Sequence, residues 1–462
     1  MVVHRGPSHL LPKLTIAKSI LETIPNTCVV VLSPETLPPH FPELFPQLFH
    51  PSRFLLLNFP AISGQQDTPN FPASLRDEMK KDGNRIKAKT LRAMSFRADY
   101  PFFEQYLYDR FMILQPDLVI TGYLNAYWAC DASARAFIET SQVPSATPPC
   151  FMVELGLKAR DWYPDEADVM EGFEAEGAIW LAAYKREFAA LQAVRAPHLM
   201  SRHPADAIFT TGPEGWDDRP QARAFPFSSS FPPQRRFVGS VLSINRPEKD
   251  EGDDDVLSFL DGRTCNVYFA YGSLMWPLLD TAQLARTKGL LAGILEGYPD
   301  CGLIVSVPDD LQSSISSNTG EFQEKNRVLL RAWLPQRVIL RHPSVLFFAS
   351  HCGYSSIVES LSEKTPILPV PIRGDQPENA LALRTAGIAP LIVNIHRSDG
   401  VLELPPLEWW RSNELLQRME EIYHMVVPAP GAARIARMVA SALHERERVN
   451  DHLASEIEVL LL

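Results

Sequence analysis

The chain has 462 residues, 45% of them hydrophobic, with a net charge of −11 and an isoelectric point near 5.6. That length fills two ordinary domain cores, and the acidic balance excludes nucleic acid as a partner, because phosphate backbones need clustered Lys and Arg. No apolar run approaches the ~20 residues that span a bilayer, and the first residues carry no signal-peptide pattern, so a soluble cytoplasmic protein without a transmembrane anchor is expected.

Val2 and Val3 read as a short strand, followed by GPSHLLPKLTIAKSIL, in which Leu14, Ala17, Leu21 and Ile24 fall at helical spacing. His9 therefore stands at a strand-to-helix turn, where open α/β sheets expose functional residues. The runs TCVVVLS, FLLLNF, DLVITGY, PCFMVEL, DAIFTTG and RRFVGSV then alternate with helix-like segments, the pattern of a parallel sheet wrapped by helices. Aromatic residues cluster between these strands, around Tyr100 to Tyr106, Tyr123 to Trp128 and Trp162 to Tyr184. Most are expected in the core and a few in a pocket for an apolar ligand. Residues 1–245 make a first domain, and the Asp-rich stretch 246–262 reads as a solvated linker rather than a metal site. The six cysteines show neither CxxC nor zinc spacing and are expected as buried thiols.

Across 263–430 the runs CNVYFAY, CGLIVSV, RVLLRAW, VLFFAS, TPILPVPI and APLIVN describe a second parallel sheet, and 431–462 reads as a helix. After VLFFAS comes HCGYSS. Gly353 permits a tight turn there, and Ser355 and Ser356 sit where a helix begins, so N–H groups and hydroxyls converge at its positive end. Such an end binds phosphate.

The stretch from Trp333 to Gln376 resembles the C-terminal signature of the family-1 nucleotide-sugar glycosyltransferases. Trp333, Pro335, Gln336, His342, His351, Cys352, Gly353, Ser356, Glu359, Ser360, Pro366, Pro371, Asp375 and Gln376 match it without a gap. The resemblance implies a GT-B fold: two Rossmann-like doubly wound domains facing across a cleft, with the last helix crossing back to the first domain. It implies that Trp333 stacks on the uracil with Gln336 beside it, that His351 and Ser356 contact the diphosphate, that Glu359 holds the ribose, and that Asp375 and Gln376 bond the sugar, with Gln376 pointing to glucose. The family's Trp-Asn pair is here Tyr354-Ser355, a Tyr to fill the aromatic slot and a Ser to donate to phosphate. CNVYFAYGSL resembles the family's first strand of the nucleotide domain, which places Gly272 and Ser273 at the diphosphate.

The segment around His9 resembles the family's G-H-x-x-P, whose His is the catalytic base. The Asp that orients this base is expected near Thr121 to Tyr123, where the sequence has no acid. Asp117 precedes the strand and Asp131 lies beyond it on the next helix, a weak substitute. The function implied is transfer of a sugar with inversion from a UDP-sugar to a hydroxyl of a lipophilic small molecule, by a monomer that uses neither metal nor other cofactor. A catalytically silent nucleotide-sugar-binding protein of the same fold is the alternative, because the relay acid is missing. An isomerase or hydrolase of the sugar nucleotide ranks last.

Overall fold

A computed structural model describes residues 1, 7–33, 53–58, 105–122, 126–140, 148–155, 205–212, 234–242, 254–276, 279–324, 326–372, 376–396, 403–427 and 431–461. In the N-terminal half, α1 (Pro7–Thr23) precedes β1 (Val29–Ser33) and β2 (Phe54–Asn58). These are followed by β3 (Val119–Gly122), α2 (Ala126–Thr140), β4 (Cys150–Glu154), β5 (Ala207–Thr210) and β6 (Gln234–Phe237). All paired strands are parallel, β1 with β2 and then β3-β4-β5-β6 in order. Met1 extends the β1 side, its ammonium donating to the Val30 carbonyl and its carbonyl accepting from Leu32 N–H.

Alternation along the strands sends side chains to two layers. Val31, Ile120, Phe151, Val153 and Phe209 pack with Leu10, Leu14 and Ala17 of α1. Val119, Met152 and Ile208 pack with Ala129, Cys130 and Ala132 of α2 on the opposite face.

The C-terminal half carries α3 (Asp254–Asp261), β7 (Asn266–Ala270), α4 (Gly272–Met275), α5 (Thr281–Gly297), β8 (Gly302–Ser306), α6 (Asp309–Glu324) and β9 (Val328–Arg331). It continues with α7 (Gln336–Arg341), β10 (Val345–Ser350), α8 (Tyr354–Ser362), β11 (Ile367–Pro369), α9 (Gln376–Thr385), α10 (Leu407–Trp410), α11 (Asn413–Val426) and α12 (Gly431–Leu461). Its parallel sheet has the order β11-β10-β7-β8-β9. Phe269, Phe347 and Trp410 fill one face, Tyr268, Phe348 and Ile339 the other. Each fully buried Phe stabilises by roughly 1.5–3 kcal/mol.

α12 packs along α1 of the other half, with Ile435, Ala436 and Val439 in the α1 core. Gly431 opens it against the backbone of Gly239 and Ser240, its N–H donating to the Ser240 carbonyl at 3.0 Å. A side chain at 431 would overlap those carbonyls, so the helix can enter only on a glycine.

Three expectations are corrected. The acidic stretch is helical from Asp254, because Val256 and Leu260, four residues apart, bury one face while Asp254 and Asp255 lie in the first turn, where negative charge suits the helix dipole. Four cysteines are not thiols: Cys130 is bonded to Cys150, and Cys265 to Cys301. The run APLIVN is not a strand. Its backbone bond to the sheet edge is Val393 N–H to Pro369 O, beside an edge where Pro369 and Pro371 offer no N–H to a ladder. Among the described residues no helix is long and apolar enough to cross a membrane.

Candidate functional site

Chain order in the second sheet runs outward from β7 to β9 on one side and from β10 to β11 on the other. In open parallel sheets the ligand crevice forms outside the carboxyl ends of the strands at such a reversal. Those ends here are Ala270 and Ser350, paired with each other. The connections leaving them carry Gly272 and His351 to Gly353.

The His351 ring is wedged between two bare backbones. Gly272 has φ +67°, and a Cβ there would lie 3.0 Å from His351 Cε1. A Cβ on Gly353 would lie 2.5 Å from His351 Nε2. Cys352 between them takes φ +61°, held by its N–H to Ser350 Oγ at 3.1 Å and by Asn379 Nδ2 donating to its carbonyl at 3.0 Å. His351 Nδ1 is buried with no hydrogen-bond partner among the described residues. Burial pulls its pKa down to about 4, against a small opposing effect of the Ala270 backbone, so the ring is neutral at physiological pH and can donate one N–H to an oxyanion.

Beside the ring, α8 starts at an extended N-cap, Gly353, with no side-chain cap. Its first-turn N–H groups keep their donor capacity and the helix dipole adds to them, which suits a diphosphate. Gln336 opens α7 and joins the same crevice. Its amide donates to Glu359 Oε2 at 2.7 Å and to Ser356 Oγ at 3.3 Å, and its oxygen accepts from Tyr268 OH at 3.4 Å. The carboxylate of Glu363 ties α7 to α8, bonding Arg337 at 2.6 Å and Arg341 at 3.0 Å. Burial pushes this carboxyl up, but the two guanidinium groups outweigh it and hold the group below its ordinary range. Trp333, past the carboxyl end of β9, leaves its ring 76% exposed, a free face for a planar base.

Gln336, His351, Gly353, Ser356, Glu359 and Gly272 thus come together, with Ser355 half-buried on the first turn of α8. Gln376 is buried at the start of α9, and its oxygen accepts from Ile372 N–H at 2.9 Å. That bond closes the loop before α9. Ser273 is in α4, though its side chain lies outside the described residues, as does Asp375 altogether.

Tyr354 departs from expectation. Its ring is buried away from the crevice, and its hydroxyl donates to the Thr211 carbonyl of the N-terminal half at 3.3 Å. Burial raises its pKa to about 12. The reason is rotational: on α8, position 354 shares a face with Ile357, Val358 and Leu361, all in one core. Sequence reasoning missed Tyr268, Ser350 and Asn379, which support the crevice from behind. Asn379 alone carried a signal, three residues past Gln376 on the same helix.

On the other side, His9 is in the first turn of α1; its side chain lies outside the described residues. Asp131 is buried in α2, on the sheet face opposite α1, and so is poorly placed to orient a base on α1. Asp117 is engaged by Arg446 of α12 at 3.2 Å. The aromatic clusters expected around an acceptor pocket lie mostly outside the described residues; Tyr106 packs against the α2 layer. Among the described residues no His, Cys, Asp and Glu cluster has the makings of a metal site.

Residues 261–401 match the family described as UDP-glucoronosyl and UDP-glucosyl transferase. The UDP-glycosyltransferase stmC of Aspergillus ustus is 28% identical over 187 residues, 37% of this chain and 34% of that protein. Mogroside IIIx synthase of Siraitia grosvenorii is 29% identical over 155 residues, 32% of each chain. The chain therefore spans about a third of the length of the curated relatives it matches. In three dimensions the likeness runs further: Medicago truncatula UGT71G1 complexed with UDP-glucose superposes with a TM-score of 0.62, at 15% identity, over 96% of this chain and 97% of that one. The signature between Trp333 and Gln376 lies inside the matched residues 261–401, which carry the UDP-glucoronosyl and UDP-glucosyl transferase domain, and the likeness in three dimensions shows the GT-B fold across the chain.

Proposed function

We propose that this chain is an inverting glycosyltransferase that moves a sugar, glucose by the Gln376 position, from a UDP-sugar to a hydroxyl of a lipophilic small molecule. The observation that carries this reading is the phosphate cradle, with His351 wedged between Gly272 and Gly353 at an uncapped helix start. His9 takes the proton of the acceptor hydroxyl as that oxygen attacks the anomeric carbon. The bond from carbon to the β-phosphate oxygen breaks on the opposite face, and its electron pair leaves with UDP. Charge building on the diphosphate is met by the first-turn N–H groups of α8, by the neutral His351 ring and by the Ser355 and Ser356 hydroxyls, an arrangement organised before the reaction begins. The proposal includes no metal or other cofactor, and it treats one chain as sufficient. Uridine stacks on Trp333, and the ribose hydroxyls meet Glu359 with Gln336 holding its carboxylate. Closure of the two halves shuts out water, which would otherwise hydrolyse the donor. The name of the mogroside synthase supports a small-molecule acceptor.

The absence of an acid at the end of β3, where Gly122 stands, favours one second reading, a protein that binds UDP-sugar without transferring the sugar. UDP release measured with a panel of UDP-sugars and lipophilic alcohols and phenols decides between them. Transfer predicts acceptor-dependent release that collapses in His9→Ala. Donor binding undiminished in His9→Ala, with no turnover of any acceptor, supports the silent protein.

A further inference from the structure

Lys13 lies in the second turn of α1 and is only 3% exposed. Among the described residues it has no hydrogen-bond or ion-pair partner, and burial is the one cause acting on its titration. A lysine placed so deep without a carboxylate is unusual, because its charge is strongly desolvated. Its stem runs to β3, where a side chain on Gly122 would begin 4.0 Å from Lys13 Cε. Helical side chains lean toward the helix N-terminus, so the stem leads from position 13 toward the carboxyl edge of the sheet. In sequence His9 stands four residues earlier on the same helix, about one turn away.

Taking the transferase reading above as its basis, we propose that Lys13 is the positioning residue of this site: its amine stands in for the missing carboxylate and accepts a proton from the His9 imidazole. In the step, the acceptor O–H proton passes to one ring nitrogen of His9, and the N–H on the other passes to Lys13 Nζ. The amine becomes an ammonium, the new carbon–oxygen bond forms and UDP leaves with its electron pair. After product release the ammonium returns its proton to water through the imidazole. An amine can do this only if it is uncharged beforehand, and burial draws Lys13 down to about 7. The groups facing it fit. The Met1 ammonium, itself lowered to about 5 by burial and by Lys13, adds no negative charge. β1 and α12 meet α1 with Val29, Val31, Ile435, Ala436 and Val439, and β3 presents Gly122, while Thr121 shares the opposite face of the sheet with Val119.

The test combines titration with kinetics on the full chain. In protein carrying [ε-13C]lysine, with the Lys13 signal assigned from Lys13→Met, the NMR midpoint is expected near neutrality and is expected to move by at least ~0.5 unit in His9→Ala; a midpoint above about 9, in the ordinary lysine range, or one indifferent to His9, overturns the pairing. This readout needs no turnover, so it stands even if no acceptor is ever glycosylated and the transferase reading itself fails. With UDP-glucose and an accepted phenol, Lys13→Met is expected to lower kcat by ~10²-fold or more, the scale of a lost proton-transfer partner, with KM for UDP-glucose unchanged. Wild-type kcat is expected to fall as pH drops through about 7, as the amine is protonated. Lys13→Arg keeps the charge but has no proton-accepting form at these pH values and is expected to fail equally. Wild-type rates in Lys13→Arg would mean that a fixed positive charge suffices, and would overturn the proposal, as would a Lys13→Met enzyme that folds and turns over normally.

Discussion

Gly353→Ala isolates the cradle from the rest of the fold. The backbone at Gly353 has φ −63° and ψ 141°, a conformation that alanine adopts freely, so the substitution brings no backbone strain. Its only large consequence is contact: the new methyl would sit 2.5 Å from His351 Nε2 and 3.1 Å from Cε1, well inside van der Waals contact. The ring must rotate out. A neutral imidazole donating to a diphosphate makes a hydrogen bond to a charged group, worth about 1.5–3 kcal/mol, so the dissociation constant for UDP is expected to rise roughly 10- to 150-fold. Isothermal titration with UDP measures this directly, and denaturant unfolding without ligand should show little change. His351→Ala is expected to lose a similar amount, and the double variant no more than either alone, because both remove the same contact. Additive losses, or a Gly353→Ala protein that binds UDP like wild type, would refute the wedge.

Other outcomes follow from the same geometry. Gly272→Ala should lower both affinity and stability, since its φ of +67° strains any side chain while the methyl also meets His351; the added destabilisation is about 1 kcal/mol or more, read by urea unfolding. Tyr354→Phe removes an inter-domain hydrogen bond, not a donor contact, so unfolding free energy should drop by about 1 kcal/mol while UDP affinity stays within roughly twofold of wild type. His351 is depressed from its ordinary 6.5 to about 4. The unfolded chain therefore binds the extra proton first as pH falls, and the stability this group contributes is present above 6.5 and lost progressively toward 4, at most about 3 kcal/mol. His351→Gln should flatten that part of the stability–pH curve. Replacing Cys265 and Cys301 by Ser opens a loop with a sequence separation of 36, for which chain entropy predicts a loss of about 4 kcal/mol, checked by denaturant unfolding under non-reducing conditions.

The strands were readable because parallel sheets buried on both faces need near-continuous apolar runs, and VLFFAS, CNVYFAY and VITG are such runs. The phosphate end was readable because spacing alone puts a glycine and two serines at a helix start. Rotation about that helix was not: the signature places residue 354 after the turn, but only packing shows that its ring joins Ile357 and Leu361 and reaches Thr211. Disulfides stayed hidden because pairing is decided by which strand ends become neighbours. Cys265 and Cys301 precede β7 and β8, which are adjacent in the sheet, whereas in sequence they are unrelated thiols. The helix from Asp254 was obscured by its own caps, since the acids that favour a helix start also look like solvated linker. Lys13 gave no signal in the sequence, because only the fold shows it buried beside β3.

Of these features, Tyr354 lies at the boundary between the halves. Tyr354 follows the residue that caps the phosphate helix, and its hydroxyl is bound to the N-terminal sheet. Ser240, at the end of that sheet, donates its N–H to Val426 and accepts from Gly431. The two turns at either end of the α11-to-α12 connection are thus pinned to the N-terminal half, and α12 continues along the helix that carries His9 and Lys13. The start of α8 and the Thr211 turn of the N-terminal half are thus joined directly by one hydrogen bond. The transfer proposed above gains from such a link, because about 1 Å of misplacement can lower rate a hundredfold. On this argument Tyr354→Phe should leave UDP affinity intact yet slow transfer, and a variant with both unchanged would show that the boundary only holds the halves together.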